Sequence, residues 1–129
     1  MKKFSFKKIG ILLAMTLVAG AALVGPVSAA GIDALGGGSA SGNVITYYGQ
    51  AGSLYDTFDR ISVSANLRYG GSTVANSDTG TYSLPNTNFV STGSHSYSPA
   101  YTGTSYTLRV YASSIGPAYS DTADFRINT

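Results

Sequence analysis

His95 is the single histidine of this 129-residue chain, cysteine and glutamate are absent, and six aspartates supply every side-chain carboxylate. General acid–base catalysis needs a positioned pair of titratable groups, and few are on offer. A Ser-His-Asp set can be drawn through His95 with Asp78 or Asp121. Serine is so abundant that such a set carries no information, and no Gly-x-Ser-x-Gly turn is present to expose a nucleophile. The run Gly93-Ser94-His95-Ser96-Tyr97 predicts a strand start whose imidazole is exposed or bonded to backbone. No catalytic residue is expected, and the chain is read as a non-enzyme. Asp56 and Asp59 flank Phe58, and Asp121 lies three residues before Asp124; both pairs suit turns and strand ends. Asn76-Ser77-Asp78-Thr79-Gly80 has the flavour of a Ca²⁺ loop but lacks the flanking acids of an EF-hand. Zinc would need more than one histidine in a chain without cysteine. Neither a metal nor another cofactor is expected.

Tyrosine is the informative residue. There are ten, with no tryptophan. Tyr47, Tyr48, Tyr69, Tyr97, Tyr101, Tyr106, Tyr111 and Tyr119 cannot all enter one small core. Part of the surplus is strand composition, since a tyrosine ring packs flat on a sheet. The rest suits a contact surface for a glycan or a protein, because tyrosine supplies area at low entropic cost. Tyr47, Tyr97, Tyr111 and Tyr119 are the candidates for that surface, and Tyr106 is assigned to the core.

The chain's N-terminal segment predicts export. Four lysines precede an uncharged run from Ile9 to Val24, Pro26 ends it, and Val27-Ser28-Ala29 offers small residues to a signal peptidase. Residues 1–29 are read as a signal peptide, its apolar run a helix, with cleavage after Ala29 or, one frame later, after Ala30. The product is expected to be secreted and extracellular. Four of the eight basic residues leave with the signal, so Arg60, Arg68, Arg109 and Arg126 face six aspartates and the mature charge is −2. No basic cluster remains for nucleic acid or for a membrane surface. No disulfide, thiolate site or lipidated cysteine can form, and no covalent anchoring signal is read at either end.

Residues 30–42, rich in glycine and serine, are expected to be a flexible linker, with Ile32 and Leu35 as apolar islands. A sharper alternative docks that short apolar segment on a neighbouring copy. Residues 43–129 form the predicted domain. Ile61, Val63, Ala65, Leu67 and Tyr69 alternate with Ser62, Ser64, Asn66 and Arg68, the period of a half-buried strand. Gly70-Gly71 suits a two-residue turn that would pair Leu67 with Val74. A second strand runs from Ser105 to Ala112, a turn covers 115–118, and Ala123, Phe125 and Ile127 mark a last strand. Weaker strands are expected over 44–48, 82–84, 88–91 and 94–97. Ile61, Val63, Leu67, Leu108, Val110 and Phe125 should face one core. Strands at this spacing between turn residues predict an all-β fold, a small antiparallel β-sandwich.

The run Gly103-Thr104-Ser105-Tyr106-Thr107-Leu108-Arg109-Val110-Tyr111-Ala112 resembles the penultimate strand of immunoglobulin-like and fibronectin-type domains. The disulfide and core tryptophan of true immunoglobulin domains are missing. What the resemblance implies is an architecture, since such folds carry no function by themselves. Lysines ahead of the apolar run and the lack of disulfides are compatible with a bacterial secreted protein. The expectation is a non-catalytic binding or adhesion module that contacts a glycan or protein of the cell envelope or extracellular matrix. The alternatives are a structural subunit that self-assembles through strand edges and, more distantly, a bacteriocin or toxin.

Overall fold

The computed structural model describes residues 31–78 and 87–129. The export signal with its cleavage point, and the strand predicted over 82–84, lie outside them. The described chain is all-β, with no helix. In chain order the strands are β1 (Asp33–Ser41), β2 (Val44–Gly52), β3 (Arg60–Tyr69), β4 (Ser72–Asp78), β5 (Phe89–Ser91), β6 (His95–Tyr97), β7 (Ser105–Ile115) and β8 (Tyr119–Asn128). They form two antiparallel sheets. One has the order β1-β2-β5 with β6 also on β2, and the other the order β4-β3-β7-β8.

Alternation decides what lies between the sheets. Ile61, Val63, Ala65 and Leu67 of β3 meet Tyr106, Leu108, Val110 and Ala112 of β7 and Phe125 and Ile127 of β8, all buried. Ile45, Tyr47 and Ala51 of β2 and Val90 of β5 complete the core from the other sheet. All six residues assigned to the core from the sequence are therefore in it.

The stretch read as a flexible linker is instead strand β1. It pairs with β2 along its whole length, from Asp33↔Gly52 to Ser41↔Val44. Ile32 and Leu35 are buried within this chain, with no second copy involved. The glycines misled because glycine usually marks chain freedom. Here they mark close approach. A Cβ on Gly36 would lie 2.8 Å from Val110 Cγ2, and one on Gly38 would lie 2.7 Å from Ile127 Cδ1. The glycine face of β1 is where bulky side chains of the second sheet meet bare backbone.

The β3–β4 hairpin turns at Gly70-Gly71, both with positive φ (59° and 83°), as a primed turn requires. Tyr69 pairs with Ser72 and Arg68 with Thr73, but Leu67 pairs with Ala75 rather than Val74. Val74 is the extra residue of a bulge, which a count outward from the turn cannot foresee. A second irregularity separates β5 from β6. Both pair with β2, and Thr92 spans the gap by donating its N–H to Gly49 O (2.9 Å) and accepting Gly49 N–H on Oγ1 (3.0 Å).

Candidate functional site: the outward face of the four-stranded sheet

The residues that alternate with the core on β3, β7 and β8 all point away from it. Register places them in rows across the sheet. Ser64, Tyr111 and Thr122 form one row, Asn66, Arg109 and Asp124 the next, and Arg68, Thr107 and Arg126 a third. Neighbouring strands in such a sheet lie about 4.8 Å apart, so the rows make a closely spaced grid of hydroxyl, amide, guanidinium and phenol groups. At its centre Arg109 donates to Asp124 through Nε (2.8 Å) and Nη2 (2.9 Å), a two-point cross-strand pair. The hydrogen bonds that Arg109 donates to Asp124 and to Tyr111 hold its guanidinium above its ordinary pKa. Arg109 in turn holds the Asp124 carboxyl below its ordinary value, with Arg68 adding to the effect. Two depressions flank this pair. One, of about 370 Å³, is lined by Ser105, Thr107, Asp124, Phe125 and Arg126; the other, of about 200 Å³, by Arg60, Ser62, Ser113, Ser114 and Ile115.

Among the described residues the other sheet offers no comparable face. Leu35, Tyr48 and Gln50 lie on its side away from the core, because Gly36 and Gly49 between them point at Val110. Yet their exposures are 1%, 3% and 0%.

The four tyrosines expected to form a contact surface are not brought together. Tyr111 is on the outward face, 38% exposed. Tyr119 is 43% exposed, but at the far end, with its ring edge-on to Phe58 at 6.2 Å. Tyr97 points inward and is half-buried, its ring 6.1 Å from Tyr106. Tyr47 is a correction: at 2% exposure it is a core residue. Parity on β2 turns it inward with Ile45 and Ala51. Burial pushes the Tyr47 and Tyr48 hydroxyls above the usual phenol pKa.

A second aromatic group went unread in the sequence. Tyr69 stacks on Tyr106 at 4.8 Å and on Tyr101 at 5.1 Å, and Tyr101 is 66% exposed. The Tyr106 hydroxyl accepts the Tyr101 N–H at 2.8 Å and fixes this loop to β7.

His95 opens β6, half-buried, with Nε2 2.9 Å from Thr92 O, as its sequence context predicts. The nearby ring is Tyr47, at 6.0 Å. Two aspartates serve backbone: Asp56 Oδ2 accepts Gly31 N–H at 2.7 Å, and Asp121 Oδ2 accepts Ala34 N–H at 2.8 Å. Asn76, Ser77 and Asp78, read as part of a loop, belong to strand β4, and Thr79 and Gly80 lie outside the described residues. Among the described residues no three His, Cys, Asp or Glu side chains are grouped to hold a metal ion.

The Arg109–Asp124 pair was legible but not read. A turn over 115–118 makes Ser114 and Tyr119 its flanking pair, and counting outward places Arg109 opposite Asp124.

No family model matches the chain, and no curated protein does. Among solved structures it is similar to the β-glucuronidase of Parabacteroides merdae, with 10% identity and a TM-score of 0.48 over 78% of this chain. The chain spans 14% of that enzyme's length, and a likeness at this score carries no argument.

Proposed function

We propose that the chain is a secreted, non-catalytic binding module that attaches to bacterial cell-envelope or extracellular-matrix material through the outward face of its β4-β3-β7-β8 sheet. The observation that carries this reading is that face. It is a rigid grid of side chains that donate and accept hydrogen bonds, with the half-exposed Tyr111 ring beside the fixed Arg109–Asp124 pair. Such a surface supplies stacking area and directional bonds without large ordering costs. The architecture is assigned to the immunoglobulin-like or fibronectin type. In support, the β1-β2-β5 and β4-β3-β7-β8 sheets are antiparallel layers around one core. The Tyr106 hydroxyl near the start of β7 also bonds to backbone upstream, as the corner tyrosine of such domains does.

Replacing Tyr111 with serine tests the reading. Attachment of the protein to envelope material should weaken while its melting temperature stays nearly unchanged, because the ring contributes nothing to the core. A lowered melting temperature with attachment of the folded fraction intact would mean that the ring only fills the sheet surface. Robust turnover in a hydrolase screen, abolished by His95→Ala, would overturn the non-catalytic part.

A further inference from the structure

Charge is sorted by face in this fold. Arg60, Arg68, Arg109 and Arg126 are the only arginines of the chain, and every lysine lies in the segment assigned to export. Arg60 and Arg68 have the same parity on β3, and register places Arg109 and Arg126 on that same outward side. Asp124 shares the face, as does the register position of Asp78 opposite Ser64. Four arginines share the face with Asp124, while Asp33, Asp56 and Asp121 lie off it.

Arg109 is the arginine held by Asp124. Arg68 donates instead to Gly71 O (2.6 Å) and Thr73 Oγ1 (3.3 Å), and Arg126 to Asn128 Oδ1 (3.0 Å). Those acceptors are uncharged and sit near the surface. They orient two guanidinium groups without cancelling their charge. Arg68 and Arg126 occupy one row, on either side of Thr107, about 10 Å apart by strand spacing. Arg60 lies eight residues before Arg68 on the same face of β3, about 27 Å away. Arg126 lines the larger depression and Arg60 the smaller.

We infer that this face binds an acidic polysaccharide. The inference rests on the binding reading above and names its ligand class. Arg68 and Arg126 each receive an anionic group of the polymer, since a guanidinium recognises carboxylate and sulfate oxygens by paired N–H donors. Serine, threonine and asparagine side chains between them meet sugar hydroxyls, and the Tyr111 ring receives an apolar sugar face. Two guanidinium groups about 10 Å apart on a shallow, open face fit an extended chain with repeated anionic groups better than a compact ion. Net charge does not drive the attraction, because the described chain as a whole is acidic, so recognition depends on this face being presented.

Affinity electrophoresis of the protein through gels containing polygalacturonate, dextran sulfate or uncharged dextran tests the inference. Polygalacturonate or dextran sulfate should retard the protein, and uncharged dextran should not. Retention by one polyanion alone assigns the anionic group as carboxylate or sulfate. Raising salt from about 20 mM to about 300 mM should release the protein. Arg68→Ser/Arg126→Ser should weaken retention about tenfold or more with an unchanged melting temperature. Asp56→Asn, a charge change beside Gly31 and away from the face, should leave retention intact. Retention of the double variant equal to the parent overturns the inference, as does equal retention by uncharged dextran. Equally tight binding of duplex DNA would reduce it to unselective attraction for polyanions and overturn it too. If neither polyanion binds but envelope attachment still depends on Tyr111, this inference fails and the contact-surface reading stands. Loss of that Tyr111 dependence removes both.

Discussion

Gly38 faces Tyr47 across the β1–β2 ladder, and the space beside its Cα is already taken. A methyl group there would meet Thr46 O at 2.5 Å and Ile127 Cδ1 at 2.7 Å. Backbone on one side and a core side chain on the other leave no room to yield, so Gly38→Ala should destabilise by about 1–3 kcal/mol. The exposed neighbour Ser39→Ala should change stability by less than about 0.5 kcal/mol. Chemical denaturation of the two variants checks the contrast, and equal stability would mean β1 does not lie against the second sheet. Tyr47 and Tyr48 give the residue scale a pH dependence. Their folded pKa values are raised by burial, so the native state keeps protons that the unfolded chain releases. Their contribution is fully present below the ordinary phenol value of about 10 and is lost as pH rises through the raised values. The melting temperature should fall above about pH 10, with part of the tyrosinate absorbance appearing only as the protein unfolds.

At the scale of elements, β7 is the centre of the larger sheet, paired with β3 on one side and β8 on the other. Val110 is fully buried on it, while Arg109 next to it points outward. Val110→Ala should cost about 1–3 kcal/mol. Arg109→Ala should cost little, because its ion pair is solvent-exposed and screened. Thermal melts separate the two, and similar losses would contradict the alternation. The same alternation explains which elements the sequence made legible. In β3, β7 and β8 apolar and polar residues alternate cleanly, because one face is dry and the other wet. In β1 the signal inverts, since close approach of the sheets selects glycine and serine, the composition of a tether. Tyr47 was misplaced for a related reason. Tyrosine is amphipathic, and its residue type alone does not say which face of a strand takes it. The Val74 bulge left no mark in the pattern, because Val74 and Ala75 are both apolar and either could be paired with Leu67. The outward face is half legible: parity sets Tyr111 and Arg109 opposite the core positions of β7 and the β7–β8 turn gives Asp124, but the β3 members of each row depend on a long-range register.

For the whole molecule, the question is whether its edges recruit further strands. The β1 edge is occupied where Asp121 accepts the Ala34 N–H, and the β4 edge is broken by its bulge. The β8 edge carries Asp121, Asp124 and Arg126 within one strand. Charges and bulges at edges oppose edge-to-edge pairing. The protein should therefore elute from a size-exclusion column at a monomer volume that does not shift with dilution. Growth of larger species with concentration would instead favour assembly through strand edges, the rival reading.

The directions of the strands carry one further consequence. With every ladder antiparallel, β1 enters at the end of the sandwich that holds Tyr119, and β8 leaves at the end that holds Tyr101. A load applied between Asp33 and Asn128 therefore runs along the strands. It shears the β1–β2 and β7–β8 ladders, whose bonds must fail together, and cannot peel them open pair by pair. Resistance to a pull on the two ends is therefore set by the strength of whole ladders.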